Sequence, residues 1–98
     1  MNVAYTLHGI SFEWDSRKAE SNLKIHGIAF ETACEAFFDP FVFAVQEPLH
    51  PDERRDAIIG MTVNWRLLYV VYVLRGEVIR IISARPVTKP ERKQYENR

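Results

Sequence analysis

The sequence predicts an α+β domain, because two kinds of periodicity follow one another along the chain. Between residues 16 and 38 apolar side chains recur at spacings of three and four, as on one face of a helix. Between residues 41 and 84 they form β-branched and aromatic runs separated by turn signals. Thr88 and Glu91 then stand as a capping box that opens a closing helix. Ninety-eight residues suit one domain, 1–98, burying roughly two-thirds of its unfolded surface.

Taken in order, residues 1–10 carry no clear repeat and read as a loose leader. Phe12 and Trp14 alternate with Ser11 and Glu13, a short strand signal that ends at Asp15. Asp15 suits an N-cap, since its carboxylate can accept from the unpaired amides of a first helical turn. The helix it opens runs to about His26, with Ala19, Leu23 and His26 on one face, Asn22 at its edge, and Gly27 as the left-handed stop. A second helix, about Ala29 to Phe38, sets Phe30, Ala33, Cys34 and Phe37 on one side and ends at Asp39-Pro40. Phe41 to Val45 then reads as strand and Pro48 to Glu53 as a polar loop. Ala57 to Val63 and Leu67 to Leu74 are strands joined by a tight turn at Asn64-Trp65. Arg75-Gly76-Glu77 turns the chain back as Val78 to Ala84. Strict alternation there puts Arg80 with Ile82 and Ala84 on one face, and Arg85 with Ile79 and Ile81 on the other. The closing helix reaches about Tyr95. The expected product is two N-terminal helices, an antiparallel sheet of about four strands and a C-terminal helix.

Composition narrows the function. Hydrophobic residues make up 47% and charged residues 27%, which excludes a disordered chain. The longest apolar run, Leu67 to Leu74, is far short of the roughly 18 residues a membrane span needs. No export signal is evident, and the lone Cys34 suits a reducing compartment, so a cytoplasmic protein is expected. His8, His26 and His50 are scattered and no Cys-x-x-Cys occurs, so neither metal nor other cofactor is expected. Glycine-rich phosphate loops and serine-nucleophile elbows are absent as well.

Zero net charge conceals an uneven distribution. Residues 1–53 hold three basic and nine acidic side chains, and residues 54–98 hold ten basic and four acidic ones. Eight of those ten basic residues are arginines, whose planar fork meets a phosphate in two-point contact. Alternatively, the two halves simply neutralise each other in the fold. Arginines beside Tyr69, Tyr72 or Trp65 on a sheet face can hold a phosphate and stack a base. RNA brings its own 2′-hydroxyl nucleophile, so cleavage then needs a base, an acid and cations around the phosphorus. Each such residue also has an ordinary structural explanation: a solvated arginine near a turn, a packed tyrosine, or a histidine stabilised by a helix C-terminus.

A resemblance carries the reading further. Phe12-Glu13-Trp14-Asp15, Lys18-Ala19, Asn22, His26-Gly27, Phe30-Glu31 and Asp39-Pro40 are followed by Glu53-Arg54-Arg55, Gly60 and Arg66. The tail supplies Arg80-Ile81-Ile82-Ser83-Ala84-Arg85, Thr88, Glu91-Arg92 and Tyr95-Glu96. In that order, over roughly 85 residues, these resemble the BrnT family of type II toxins. The resemblance implies a RelE-like fold and a ribonuclease that inhibits translation and growth. It also implies a BrnA-like antitoxin with a ribbon-helix-helix DNA-binding domain, so that DNA is met only through that partner and no membrane is involved. By position it implies catalytic roles for His26, Arg55, Arg66, Arg80, Arg85, Glu53 and Tyr95. Arg80 and Arg85 would clamp phosphate, Arg66 would share transition-state charge, and His26 or Glu53 would transfer the proton. Lys24, Arg54, Trp65, Lys89 and Arg92 would bind RNA. The sequence departs from the family at Ile25, where a lysine usually precedes the His-Gly pair; Lys24 is about 100° away around the helix. If that lysine takes part in cleavage, the enzyme is weakened here unless Lys24 reaches in through its long stem; the alternative is a catalytically weak or inactive module that binds its antitoxin and modulates operon repression.

Overall fold

The computed structural model describes residues 1–46 and 54–97. Among the described residues six strands form one sheet: β1 (Asn2–Leu7), β2 (Ile10–Asp15), β3 (Phe43–Val45), β4 (Asp56–Met61), β5 (Leu67–Arg75) and β6 (Val78–Pro86). Their spatial order is β1-β2-β6-β5-β4-β3. The helices are α1 (Ser16–His26), α2 (Phe30–Glu35), continued by a 3-10 turn over Ala36–Phe38, and α3 (Lys89–Glu96).

Several expectations need correcting. Residues 1–10 are not a leader: Val3, Tyr5 and Leu7 alternate with Asn2, Ala4 and Thr6, and β1 pairs along its whole length with β2. The sheet has six strands rather than about four, and it is mixed, because β2 runs parallel to β6 through Phe12↔Ile79 and Glu13↔Arg80. The two helices therefore follow a β-hairpin instead of opening the chain. The second helix is shorter than its apolar spacing suggests, tightening after Glu35 into the 3-10 turn. The polar loop expected over residues 48–53 lies outside the described residues.

Local signals explain the remaining helix ends. Asp15 accepts from the Lys18 N–H at 3.2 Å, and this bond lowers its carboxyl pKa. Gly27, at φ 69°, donates its N–H to the Leu23 carbonyl and stops α1. Asn22 faces inward from α1. Its amide donates to the carbonyls of Ile28 (3.0 Å) and Ala84 (2.8 Å) and accepts from the Ala84 N–H (3.1 Å), tying the helix to β6. Around it Phe12, Trp14, Phe30, Ala33, Leu68 and Val70 close the core between the helices and the sheet.

The opposite face carries a second cluster of Ala57, Ile59, Leu67, Tyr69 and Val71, against which Ile82, Val87 and Tyr95 pack. A register shift between Val71 and Tyr72 breaks the alternation of β6. Ile79, Ile81 and Ala84 consequently belong to the helix side, while Ile82 belongs to the other. Arg85, paired with Tyr69, joins Arg80 on the face away from α1 and α2, where strict alternation would have separated them.

Candidate functional site

One end of the sheet gathers candidates from four separate segments. The β4–β5 connection, residues 62–66, closes at Thr62 and Arg66 around a three-residue loop: Trp65 N–H donates to the Thr62 carbonyl (3.0 Å) and Thr62 N–H to the Arg66 carbonyl (2.9 Å). Arg66 N–H also donates to Thr62 Oγ1 at 3.1 Å. This holds the exposed Trp65 and Arg66 side chains beyond the strands. Arg66 Nη1 reaches back to the Gly27 carbonyl at 3.4 Å, at the partly negative C-terminus of α1, where half-buried His26 is the last helical residue. Two groups 40 positions apart in sequence, an imidazole and a guanidinium, are thus brought to one helix end.

Arg85 and Tyr95 reach the same end through α3. Glu91 and Tyr95 lie one turn apart on that helix. Arg85 makes a two-point contact with Glu91, Nη1 to Oε1 and Nη2 to Oε2, each 2.8 Å, and its guanidinium lies 4.2 Å above the Tyr69 ring. Arg85 is chiefly what holds the Glu91 carboxyl below its usual pKa. Glu91 Oε1 also accepts from the Thr88 N–H, completing the capping box read from the sequence. The Tyr95 hydroxyl donates to Asp39 Oδ2 at 2.5 Å. Asp39 is buried and further accepts from the N–H groups of Phe41 (2.9 Å) and Met61 (2.8 Å). Trp65 and Tyr95 both line a groove of about 360 Å³ with Asp39 and Thr62 in its wall.

The other candidates lie elsewhere. Arg80 stands toward the opposite end of β6, bonded to Glu13 (3.0 Å) and Asn2 (2.7 Å), with Arg75 also 4.0 Å from Glu13. Arg80 and Arg85 share a face but are five residues apart, roughly 16 Å along a strand, and each is held by a different carboxylate. Arg54, 3.5 Å from Asp56, and half-buried Arg55 precede β4 at its far end from Met61. Lys24 pairs with Glu20 across one exposed turn of α1. Lys89 and Arg92 are exposed on α3. Glu53 lies outside the described residues. Residue reasoning did not find Asp39 as an organising group, because Asp-Pro reads simply as a helix stop; its separation of 56 positions from Tyr95 leaves no local signal. Among the described residues no three His, Cys, Asp or Glu side chains gather as a metal site, and no helix is long and apolar enough to cross a membrane.

Comparison with known proteins gives this architecture a class. The model of a family described as "Ribonuclease toxin, BrnT, of type II toxin-antitoxin system" matches residues 14–91. That match runs from the end of β2 to the first turn of α3; it includes His26, Trp65, Arg66, Arg85 and Glu91, while Tyr95 lies beyond it. The chain belongs to this BrnT family of ribonuclease toxins, and its class implies an antitoxin partner. It is also similar in fold to the Brucella abortus ribonuclease toxin BrnT, whose crystal structure has been solved at 1.1 Å. The TM-score is 0.53 at 23% identity, over 78% of this chain and 94% of that one. A search of curated proteins gives no match.

Proposed function

We propose that this chain is a metal-independent endoribonuclease with a RelE-like fold, acting in the cytoplasm to inhibit translation and growth. A ribbon-helix-helix antitoxin neutralises it and brings the pair to DNA. The observation that carries this reading is the reach of Arg66, next to exposed Trp65, to the Gly27 carbonyl one residue past His26, in a chain of a ribonuclease toxin family. In the proposed reaction the RNA 2′-oxygen attacks the adjacent phosphorus. His26, or Glu53, takes the 2′-hydroxyl proton as the new P–O bond forms. Arg66 stabilises the extra negative charge on the five-coordinate phosphorus. The P–O5′ bond then breaks, O5′ takes a proton from water as it leaves, and a 2′,3′-cyclic phosphate remains. Trp65 stacks a base, Tyr95 is held ready by Asp39, and Arg80 and Arg85 contact successive parts of the backbone. Lys24, Arg54, Lys89 and Arg92 add long-range attraction, and Arg55 stands in reserve at the far end of β4.

The test uses the purified, antitoxin-free chain and naked RNA in EDTA. Fragments with 2′,3′-cyclic phosphate ends are expected, and Arg66→Ala should reduce their rate by about 10²–10³-fold. RNA left intact both alone and on ribosomes would overturn the reading. A second reading is favoured by the pairing of Arg80 with Glu13 and of Arg85 with Glu91, together with Ile25 in the lysine position. With those guanidiniums already neutralised, the chain would serve as an antitoxin-binding module with little or no cleavage.

A further inference from the structure

The groove beside Trp65 and Tyr95 has a rim of unusually exposed apolar side chains. Phe41 is 65% exposed, Val63 75% and Trp65 84%, and Phe38 adds a partly exposed ring. Isolated exposed apolar residues are ordinary, but several around one concavity mark a surface that is covered in use. Trp65 is moreover kept at φ 64°, a conformation that costs a bulky side chain energy and turns the indole outward.

The charges in the wall discriminate between occupants. Glu35 and Asp39 are the ionisable groups of the lining besides Tyr95, and Glu31 lies one turn before Glu35 on α2. Asp39 is turned to the Phe41 and Met61 amides and the Tyr95 hydroxyl; Glu35 Oε1 accepts from the Val63 N–H at 3.1 Å and leaves its charge at the rim. A phosphate backbone is repelled by such a wall, whereas an apolar segment carrying a cation is attracted.

We propose that this groove is the docking site of the toxin's own antitoxin. The antitoxin enters it with a bulky apolar side chain on an amphipathic segment and sets a lysine or arginine against Glu35. The proposal rests on membership of a type II system, from which the partner follows. An occupant there lies against Trp65 and Tyr95, so docking covers one flank of the sheet end assigned to RNA.

Phe41→Ala, Val63→Glu and Glu35→Gln are the variants to test, each titrated calorimetrically with the full-length cognate antitoxin co-expressed with this chain. Thermal melts establish that each variant folds. Phe41→Ala and Val63→Glu are expected to weaken antitoxin binding at least about 30-fold, as central apolar contacts do, and Phe41→Ala, which adds no charge beside Trp65 and Arg66, should do so with RNA cleavage unchanged. Glu35→Gln, which keeps the acceptor for Val63, should weaken binding less, and its effect should shrink in high salt. Unchanged antitoxin affinity in the folded variants would overturn the proposal. So would loss of RNA cleavage with antitoxin binding intact, which assigns the groove to RNA, or loss of self-association alone, which assigns it to a second copy. Wild-type protein that fails to cleave RNA refutes the ribonuclease mechanism, while the titration still decides the groove.

Discussion

Trp65 occupies a position where glycine or asparagine is the ordinary choice. In a three-residue hairpin loop the last residue turns left-handed, and a side chain there costs roughly 1–2 kcal/mol. Trp65→Gly is therefore expected to leave the melting temperature unchanged or higher, although the largest exposed ring of the molecule has gone. A fall of several degrees would mean that the indole packs for stability. Glu91 poses the reverse case. Its carboxyl is held below the ordinary value of 4.5 by Arg85. The contribution of that pair is complete above pH 4.5 and disappears as pH falls through the lower folded value. Glu91→Gln retains the capping oxygen but loses the charge, so a loss of about 1 kcal/mol is expected at neutral pH. In urea titrations the difference between wild type and variant should close well below pH 4.5. Cys34, by contrast, is a structural hydrophobe, its thiol pushed up to about 12 mainly by burial.

At the scale of elements, the short-range devices were legible and the long-range pairings were not. The Asp15 cap, the Gly27 stop, the Thr88–Glu91 box and the Asn64-Trp65 turn each act within a few residues, so their chemistry is written locally. The β6 bulge is different. It depends on how β6 aligns with β5, and nothing inside Val78 to Ala84 announces it; Arg85 therefore changes face unseen. β1 was missed: Val3, Tyr5 and Leu7 do alternate before the His8-Gly9 turn, but the weak apolar content natural for an edge strand concealed it. The family resemblance nominated a set of candidate site residues but gave no placement for them. Their division into an Arg66–His26 end and a separate Arg80–Glu13 cluster came only with the fold. Gly60 illustrates a constraint no periodicity carries. A Cβ there would lie 2.2 Å from the Ala36 carbonyl oxygen and 2.9 Å from its carbon, both backbone atoms. Gly60→Ala should cost about 3 kcal/mol or more by chemical denaturation, because the 3-10 turn must be pushed off β4. A near-neutral result would show that the turn yields freely.

Over the whole molecule, the acidic first half and the basic second half are joined physically at Glu13, which meets both Arg80 and Arg75. The same junction makes the N-terminal hairpin part of the sheet. Tyr5 packs on Trp14, and Val3 and Leu7 border the main core. Removing residues 1–7 should therefore lower stability by about 3 kcal/mol or more, seen as an early thermal transition rather than an unchanged melt. The parallel seam between β2 and β6 also has a meaning in time. Glu13 must wait for Arg80, 67 positions later, before the middle of the sheet can close. At a synthesis rate of about 5–20 residues per second, that is a delay of roughly 3–13 s in which the segments of α1 and α2 have been made but the strand that anchors them has not. Arg66 and His26 are both made before that strand exists. The sheet end that carries them is therefore complete only once the final fifth of the chain, with β6 and α3, has been translated.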